Sequence, residues 1–190
     1  MPDDKSNNDK LQTNRRGFLK TGVSLAVGGF VTLALGRKAF AQRTVWQIDP
    51  HKCIQCGNCA TYCVLGPSAV KCVHSYAMCG YCQRCFGYFD PGTQEFSTAA
   101  ENQLCPMGAI RRTFVEDPYY QYTIDEPKCI GCGKCVKGCG ASGNGSLYLQ
   151  VRHDRCVNCN QCSIAIACPV GAFTRVPADS PYLLKDGNQK

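Results

Sequence analysis

Histidine is scarce in this chain of 190 residues: only His51, His74 and His153 occur. None of them stands in the paired Cys/His pattern of a Rieske centre, and each is expected at the surface or behind a metal ligand. The chain also lacks a Ser/His/Asp set, paired carboxylates in a recognisable site and the glycine fingerprint of a flavin or dinucleotide site. Chemistry on an organic substrate is therefore not expected within this chain.

Long hydrophobic runs and a strong charge of one sign are also missing. The apolar stretch at residues 21–36 is interrupted by three glycines and falls short of the roughly 20 residues that span a bilayer. Residues 1–41 hold seven of the 21 Lys and Arg, and the remaining basic residues are spread without a basic helix. No nucleic-acid-binding surface is therefore expected.

The N-terminal segment carries the motif NRRGFLK at residues 14–20, followed by the apolar stretch and by Ala39-Phe40-Ala41. This order resembles a twin-arginine export signal with an A-x-A cleavage site. The resemblance implies that residues 1–41 are a signal peptide and that the protein reaches the periplasm already folded, with its cofactor inserted. A retained membrane anchor is the alternative to cleavage after Ala41.

Cysteine is the residue that this chain has in excess, with 17 copies. Sixteen of them form four C-x2-C-x2-C triplets, each with a nearby fourth cysteine, and Cys72 is left over. Structural zinc sites usually combine two C-x2-C pairs, or one pair with histidines. A disulfide framework would leave one of the 17 cysteines unpaired. Zinc and disulfides remain alternatives to the interpretation that follows.

The cysteine pattern resembles the ligand run of bacterial-type ferredoxins, in which a triplet holds one [4Fe-4S] cluster and the fourth cysteine of the run reaches the other cluster. The pattern also repeats: IDPHKCIQCGNC from Ile48 matches IDEPKCIGCGKC from Ile124 at an offset of 76 residues, and CPMGAI from Cys105 matches CPVGAF from Cys168. A ferredoxin with two clusters, repeated in tandem, is the economical interpretation.

The resemblance implies an α+β fold of duplicated ferredoxin-like modules, with short strands and helices around four [4Fe-4S] clusters. The first module is expected at residues 42–123, with an insertion at 86–104, and the second at residues 124–178, before a C-terminal tail at 179–190. The aromatic side chains of the insertion are expected to pack over a cluster, with a docking surface as the alternative.

Sixteen cysteines are the expected cluster ligands. The resemblance assigns Cys53, Cys56, Cys59 and Cys105 to cluster I, Cys79, Cys82, Cys85 and Cys63 to cluster II, Cys129, Cys132, Cys135 and Cys168 to cluster III, and Cys156, Cys159, Cys162 and Cys139 to cluster IV. Cys72 is expected to be a buried free thiol. The alternatives are that Cys72 replaces Cys63 as a cluster ligand or that it bonds to a partner. Lysines beside the motifs either offset cluster charge and tune the potentials or serve solubility: Lys52, Lys71, Lys128, Lys134 and Lys137.

These assignments use every triplet as part of a complete coordination shell, which leaves no open iron for a substrate. We therefore expect an electron-transfer subunit of an exported, membrane-associated respiratory complex, and not an enzyme in its own right. The expected partners are a membrane quinol-oxidising or cytochrome subunit and a catalytic redox subunit. A freely diffusing periplasmic carrier is the first alternative, and an enzyme with one site-differentiated cluster is the second.

Overall fold

The computed structural model describes residues 43–76, 79 and 81–185. The predicted signal peptide at residues 1–41 lies outside the described residues. The elements are short, and both strands and helices are present, so the α+β character predicted from the sequence is confirmed. The strands are β1 (Thr44–Ile48), β2 (Val70–His74), β3 (Tyr81–Cys82), β4 (Ile110–Glu116), β5 (Tyr119–Ile124), β6 (Leu147–Val151) and β7 (Phe173–Pro177); the helices are α1 (Asn58–Thr61), α2 (Lys134–Ser142) and α3 (Ser163–Ala167), with a 3-10 turn at Ala100–Asn102.

Strand pairing joins the two ends of the described chain. β1 pairs antiparallel with β7, β2 pairs with β6, and β5 lies between β3 and β4. Two of these three sheets therefore combine a strand from the first predicted module with a strand from the second. The described residues from Arg43 onward form one compact unit, so the predicted division at residues 123 and 124 does not separate two bodies.

The C-terminal tail continues this pairing. Ala178 donates its N–H to the carbonyl of Arg43 at 2.8 Å, and the buried Gln47 side chain donates to the carbonyl of Pro181 at 3.1 Å. Lys185 donates a hydrogen bond to the carbonyl of Gly145. The described part of the predicted tail, residues 179–185, therefore packs against the body of the protein.

The core is small and divided between aliphatic and aromatic residues. β6 is buried along its whole length and contacts both β2 and β1, with α2 packed against it. In the insertion at residues 86–104, Tyr88 and Phe89 are each 2% exposed and meet edge to face, whereas Phe86 and Phe96 remain exposed. The insertion therefore supplies core packing through two of its four aromatic side chains.

No helix in the described residues is long and apolar enough to cross a membrane.

Candidate cysteine sites

The first triplet converges with the last cysteine of the chain. Cys53 and Cys56 lie on the loop after β1, Cys59 lies in α1, and all three line one cavity together with Cys168 and Leu149. Electrostatic coupling links Cys168 to both Cys53 and Cys59. We name this group quartet A: Cys53, Cys56, Cys59 and Cys168.

The β1–β7 ladder places Cys168 there. Ile48 stands opposite Phe173, and the next residue, Asp49, donates its N–H to the carbonyl of Ala172 at 2.8 Å. Ala172 in turn donates its own N–H to the sulfur of Cys168 at 3.3 Å. The turn after Cys168 is thereby fixed against the loop that carries the first triplet.

The last triplet converges with Cys63 on the opposite side of α1. One cavity is lined by all four of these cysteines, together with Trp46 and Ile164. Asn158 donates its N–H to the sulfur of Cys156 at 3.4 Å, and the side chain of Asn58 on α1 donates to the last carbonyl of α3 at 2.6 Å. We name this group quartet B: Cys156, Cys159, Cys162 and Cys63.

The backbone contacts beside the third triplet and Cys105 repeat those beside the first triplet and Cys168. In the β4–β5 ladder Ile110 faces Ile124, and Asp125 donates its N–H to the carbonyl of Ala109 at 2.7 Å. Ala109 donates to the sulfur of Cys105 at 3.3 Å, the same distance as in quartet A. By this parallel we assign Cys105 to the third triplet and name the group quartet C: Cys129, Cys132, Cys135 and Cys105.

The remaining cysteines meet around Asn144. The Asn144 amide contacts the sulfur of Cys139 at 3.6 Å and the sulfur of Cys79 at 3.9 Å, and Cys139 is coupled electrostatically to Cys85. Burial opposes ionisation of Cys79, but hydrogen bonds from His74 and Ser146 outweigh it and lower the pKa of this thiol to about 7. We name this group quartet D: Cys79, Cys82, Cys85 and Cys139.

The quartets keep the predicted triplets but exchange the predicted fourth cysteines. Cys168 lies with Cys53 and Cys59, where the sequence analysis placed Cys105, and Cys63 lies with Cys156, where it placed Cys139. The reason is the strand pairing. The prediction took the fourth cysteine from the same half of the chain, whereas β1 and β7 bring the two ends together.

Quartets A and C touch each other through two glycines. Gly57 and Gly133 each have positive φ angles, 90° and 78°. A Cβ atom on Gly57 would lie 3.4 Å from the carbonyl of Cys132, and one on Gly133 would lie 3.2 Å from Cβ of Gln55. The two triplet loops can therefore pack directly against each other, which brings quartets A and C close together.

Several of the buried thiols are poorly suited to carrying charge without a metal. Burial raises the pKa of Cys59 to about 12 and the pKa of Cys85 to about 11, because a thiolate loses its hydration there. Iron would supply the compensating positive charge, since coordination deprotonates a thiol outright. The donor set fits an iron–sulfur cluster: four sulfurs line one cavity in quartet A and another in quartet B, and backbone N–H groups donate to a cysteine of each quartet.

A single metal ion requires ligand side chains that lie closer together than the ligands of a cluster. In residues 43–76, 79 and 81–185, no three Cys, His, Asp or Glu side chains converge closely enough to hold one ion. This spacing is compatible with a cube, whose iron and sulfide atoms lie between the thiolates.

Two residues on β2 extend quartet C, and their contacts with its cysteines were not foreseen. Cys72 is buried, as expected, but its N–H also donates to the sulfur of Cys129 at 3.4 Å, and its thiol is hydrogen-bonded to Cys135. Lys71 is completely buried and donates to the carbonyl of Cys129. A lysine inside the apolar run AVKCV was the available signal, because lysine is almost never fully buried.

The three histidines have different surroundings. His51 is exposed, and His153 forms a hydrogen bond between its Nε2 and the carbonyl of Trp46 at 2.9 Å. His74, at the end of β2, lies beside Cys79. These positions agree with the expected places at the surface or behind a ligand.

Comparison with known families finds a match to the 4Fe-4S binding domain model at residues 46–63. That segment contains Cys53, Cys56, Cys59 and Cys63. It therefore indicates [4Fe-4S] binding in the part of the chain where β1, the first triplet and α1 lie.

Curated relatives fall into two groups. Ferredoxin-3 of Nostoc sp. is 27% identical over 84 residues, covering 33% of this chain and 84% of that protein. Putative electron transport protein YccM of Escherichia coli is 30% identical over 78 residues, covering 41% of this chain and 21% of that protein. Four and a half LIM domains protein 1 of Mus musculus is 29% identical over 144 residues, covering 65% of this chain and half of that protein. No solved structure matches this chain.

The two groups point to different metals, because LIM domains are structural zinc modules. The 4Fe-4S match and the similarity to a ferredoxin and to an electron transport protein support iron–sulfur electron transfer. The triplets favour the same conclusion. A zinc site built from two C-x2-C pairs takes two cysteines from each segment and leaves the third cysteine of each triplet without a ligand role.

Proposed function

We propose that this chain is an exported electron-transfer protein with four [4Fe-4S] clusters, acting as a subunit of a membrane-associated respiratory redox complex. The observation that carries the proposal is the convergence of the first and last triplets with Cys168 and Cys63, one cysteine from a distant segment in each case. The contacts of the other eight cysteines support the same grouping in quartets C and D. A quartet of thiolates completes the coordination of a cube and leaves no open iron for substrate.

The connections between quartets support a linear relay in the order B, A, C, D. Helix α1 leads from Cys59 of quartet A to Cys63 of quartet B, and α3 leads back from Cys162 to Cys168. Helix α2 carries Cys135 of quartet C and Cys139 of quartet D. Quartets A and C meet at the two glycines, so each step joins neighbours.

The clusters would supply one-electron transfer at each quartet, and the protein supplies the surroundings that set their reduction potentials. Backbone N–H groups of Ala109, Asn158 and Ala172 stabilise the thiolates by hydrogen bonding. Apolar side chains such as Leu149 and Phe173 exclude water from the cavity of quartet A. The potentials therefore depend on local hydrogen bonds and charge as well as on cluster type.

Exposed apolar side chains surround the two terminal quartets and support two docking partners. Beside quartet B, Val64 is 65% exposed and Val157 is 61% exposed. Beside quartet D, Tyr81 and Phe86 are exposed. We assign one end to a membrane quinol-oxidising or cytochrome subunit and the other to a catalytic redox subunit, with the twin-arginine motif implying a periplasmic location.

The test of the cofactor is metal analysis of protein purified without oxygen after export. Four cubes require about sixteen iron and about sixteen sulfide per chain, with little zinc. About twelve of each would mean that one quartet is incomplete. Zinc without sulfide would overturn the redox function and would agree with the similarity to the LIM protein.

The test of the assembly is gel filtration of native membrane extract in mild detergent, followed by detection of this chain. A subunit elutes within a large complex, whereas a diffusing carrier elutes near its own mass of 20.7 kDa or slightly less. Elution of all the protein at that mass would favour the carrier.

A further inference from the structure

Lys71 is a buried lysine without an ion pair. Its relative exposure is 0%, and its ammonium donates to the carbonyl of Cys129. In the part of the chain that the structure describes, no carboxylate forms a salt bridge with it: Glu126 lies nearby but pairs with Arg152 at 3.0 Å. Arg155 adds further positive charge to the surroundings. A buried ammonium requires compensation, and Glu126, which is already paired with Arg152, provides only part of it.

Cys72, the next residue on β2, approaches quartet C from the same strand. Its N–H donates to the sulfur of Cys129 at 3.4 Å, and its thiol donates to the sulfur of Cys135. Two of the three sulfurs of this triplet therefore accept a hydrogen bond from Cys72. A cluster in quartet C would carry negative charge beside both the thiol and Lys71.

The equivalent positions beside quartet A are neutral. In the β2–β6 ladder Cys72 stands opposite Leu149, and Lys71 stands opposite Gln150. Leu149 lines the cavity of quartet A, and Gln150 is buried with its amide donating to the Tyr148 hydroxyl at 3.3 Å. Leu149 thus stands to quartet A as Cys72 stands to quartet C, and the residue before Leu149, Tyr148, is uncharged where the residue before Cys72 is Lys71.

We propose that Lys71 and Cys72 raise the reduction potential of the cluster in quartet C above that of the cluster in quartet A. This inference rests on the proposed function. It gives electron transfer between the central quartets a direction, from quartet A to quartet C. A positive charge and hydrogen bonds to the thiolates both stabilise the more negative, reduced cluster. With clusters bound, the cluster in quartet A would give up the one electron that the cluster in quartet C gains, and Lys71 would contribute positive charge and a hydrogen bond to the backbone of Cys129. Lys71 and Cys72 are positioning residues, because they touch ligand residues rather than the reacting atoms.

The experiment is a redox titration, followed by electron paramagnetic resonance, of the full chain purified without oxygen. The variant Lys71→Gln removes the positive charge and keeps a polar side chain, and Cys72→Leu introduces the residue type that lines quartet A. The expected result is a shift of one cluster to lower potential in each variant, the same cluster in both, with the other three unchanged. Iron and sulfide contents matching the wild type establish that every cluster is present.

Lys134→Gln is the matched control. Lys134 precedes Cys135 but is exposed, so its removal deletes the same charge where solvent and salt screen it. Its shift should be much smaller than that of Lys71→Gln. Equal shifts in the two variants would mean that total charge, and not the buried position, sets the potential, and would overturn the proposal.

Failure of assembly is also informative. If Lys71→Gln contains about twelve iron while Lys71→Arg retains about sixteen, quartet C needs the buried positive charge, which supports the counter-charge role by a second measurement. If neither Lys71 variant assembles four clusters, the potential measured in Cys72→Leu decides whether the inference holds. Wild-type protein with four clusters and no shift in the assembled variants overturns this inference alone, whereas wild-type protein without clusters overturns the proposed function.

Discussion

At the residue scale, the fourth cysteine of each quartet decides how the clusters are connected. Three cysteines on one loop can wrap three corners of a cube whatever the rest of the fold does. Cys105 and Cys168 sit in nearly identical CP-x-GA turns, so their local sequences do not distinguish which triplet each one completes. The distinction comes from Asp49 and Asp125, which bond to Ala172 and Ala109 respectively.

Substitution of one fourth cysteine should therefore expose a specific triplet. In Cys168→Ser, quartet A loses a ligand, and Cys53, Cys56 and Cys59 should become reactive towards an alkylating reagent, because thiols released from iron are free to react. Cys105→Ser is the matched control and should expose Cys129, Cys132 and Cys135 instead. Peptide mass spectrometry of the alkylated protein measures both. The opposite assignment would restore the tandem arrangement predicted from the sequence.

At the element scale, the β1–β7 ladder holds the two ends of the described chain together around quartets A and B. Trp46 is central to it: its ring packs at 5.8 Å from that of Phe173, and its Nε1 donates to the carbonyl of Cys159 at 2.7 Å. Arg175 lies over the same indole at 4.6 Å. One side chain therefore links both strands to the loop of the last triplet.

Removal of that side chain should destabilise cluster binding in two measurable steps. Trp46→Phe keeps ring packing and loses the hydrogen bond, at a cost of about 1 kcal/mol. Trp46→Ala also loses the buried ring surface and should cost about 3 kcal/mol. The temperature at which the visible cluster absorbance is lost should fall in that order. Val157→Ala, at an exposed position in the same cavity rim, should leave it nearly unchanged. Equal effects of all three variants would contradict this role for Trp46.

At the scale of the whole molecule, the described chain has little core to stabilise it without cofactors. Its strands have at most seven residues, its longest described helix has nine, and many of its buried side chains are the cysteines themselves or their neighbours. In small metal-binding domains the free energy of metal binding is a large part of the free energy of folding. The thiols of Cys59 and Cys85 also resist ionisation in this packing, so apoprotein gains nothing from their charge.

Removal of iron should consequently unfold the protein. Treatment with a chelator without oxygen, and with a thiol reductant to prevent disulfide formation, should abolish most of the ordered far-ultraviolet circular dichroism along with the visible absorbance. Addition of iron and sulfide should restore both signals. An apoprotein with native circular dichroism and a cooperative thermal transition would show that the clusters are not needed for the fold.

The sequence alone predicted the chemistry of the site and the class of the fold. The C-x2-C-x2-C spacing is local, so it specifies which three sulfurs share a loop without reference to distant residues. The α+β character likewise follows from short segments. The internal repeat from Ile48 and Ile124 is also visible in the printed chain, and the structure gives both copies the same backbone contacts to the turn after a CP-x-GA cysteine.

Only the tertiary structure decided the partners of those triplets. Pairing of β1 with β7, and of β2 with β6, depends on contacts between residues more than 70 positions apart, which spacing within a motif does not encode. The same pairing buries Lys71 and turns Cys72 towards quartet C, although neither residue belongs to a motif. Ligand identity was thus local information, whereas cluster order and the charge around each cluster arose from long-range strand pairing.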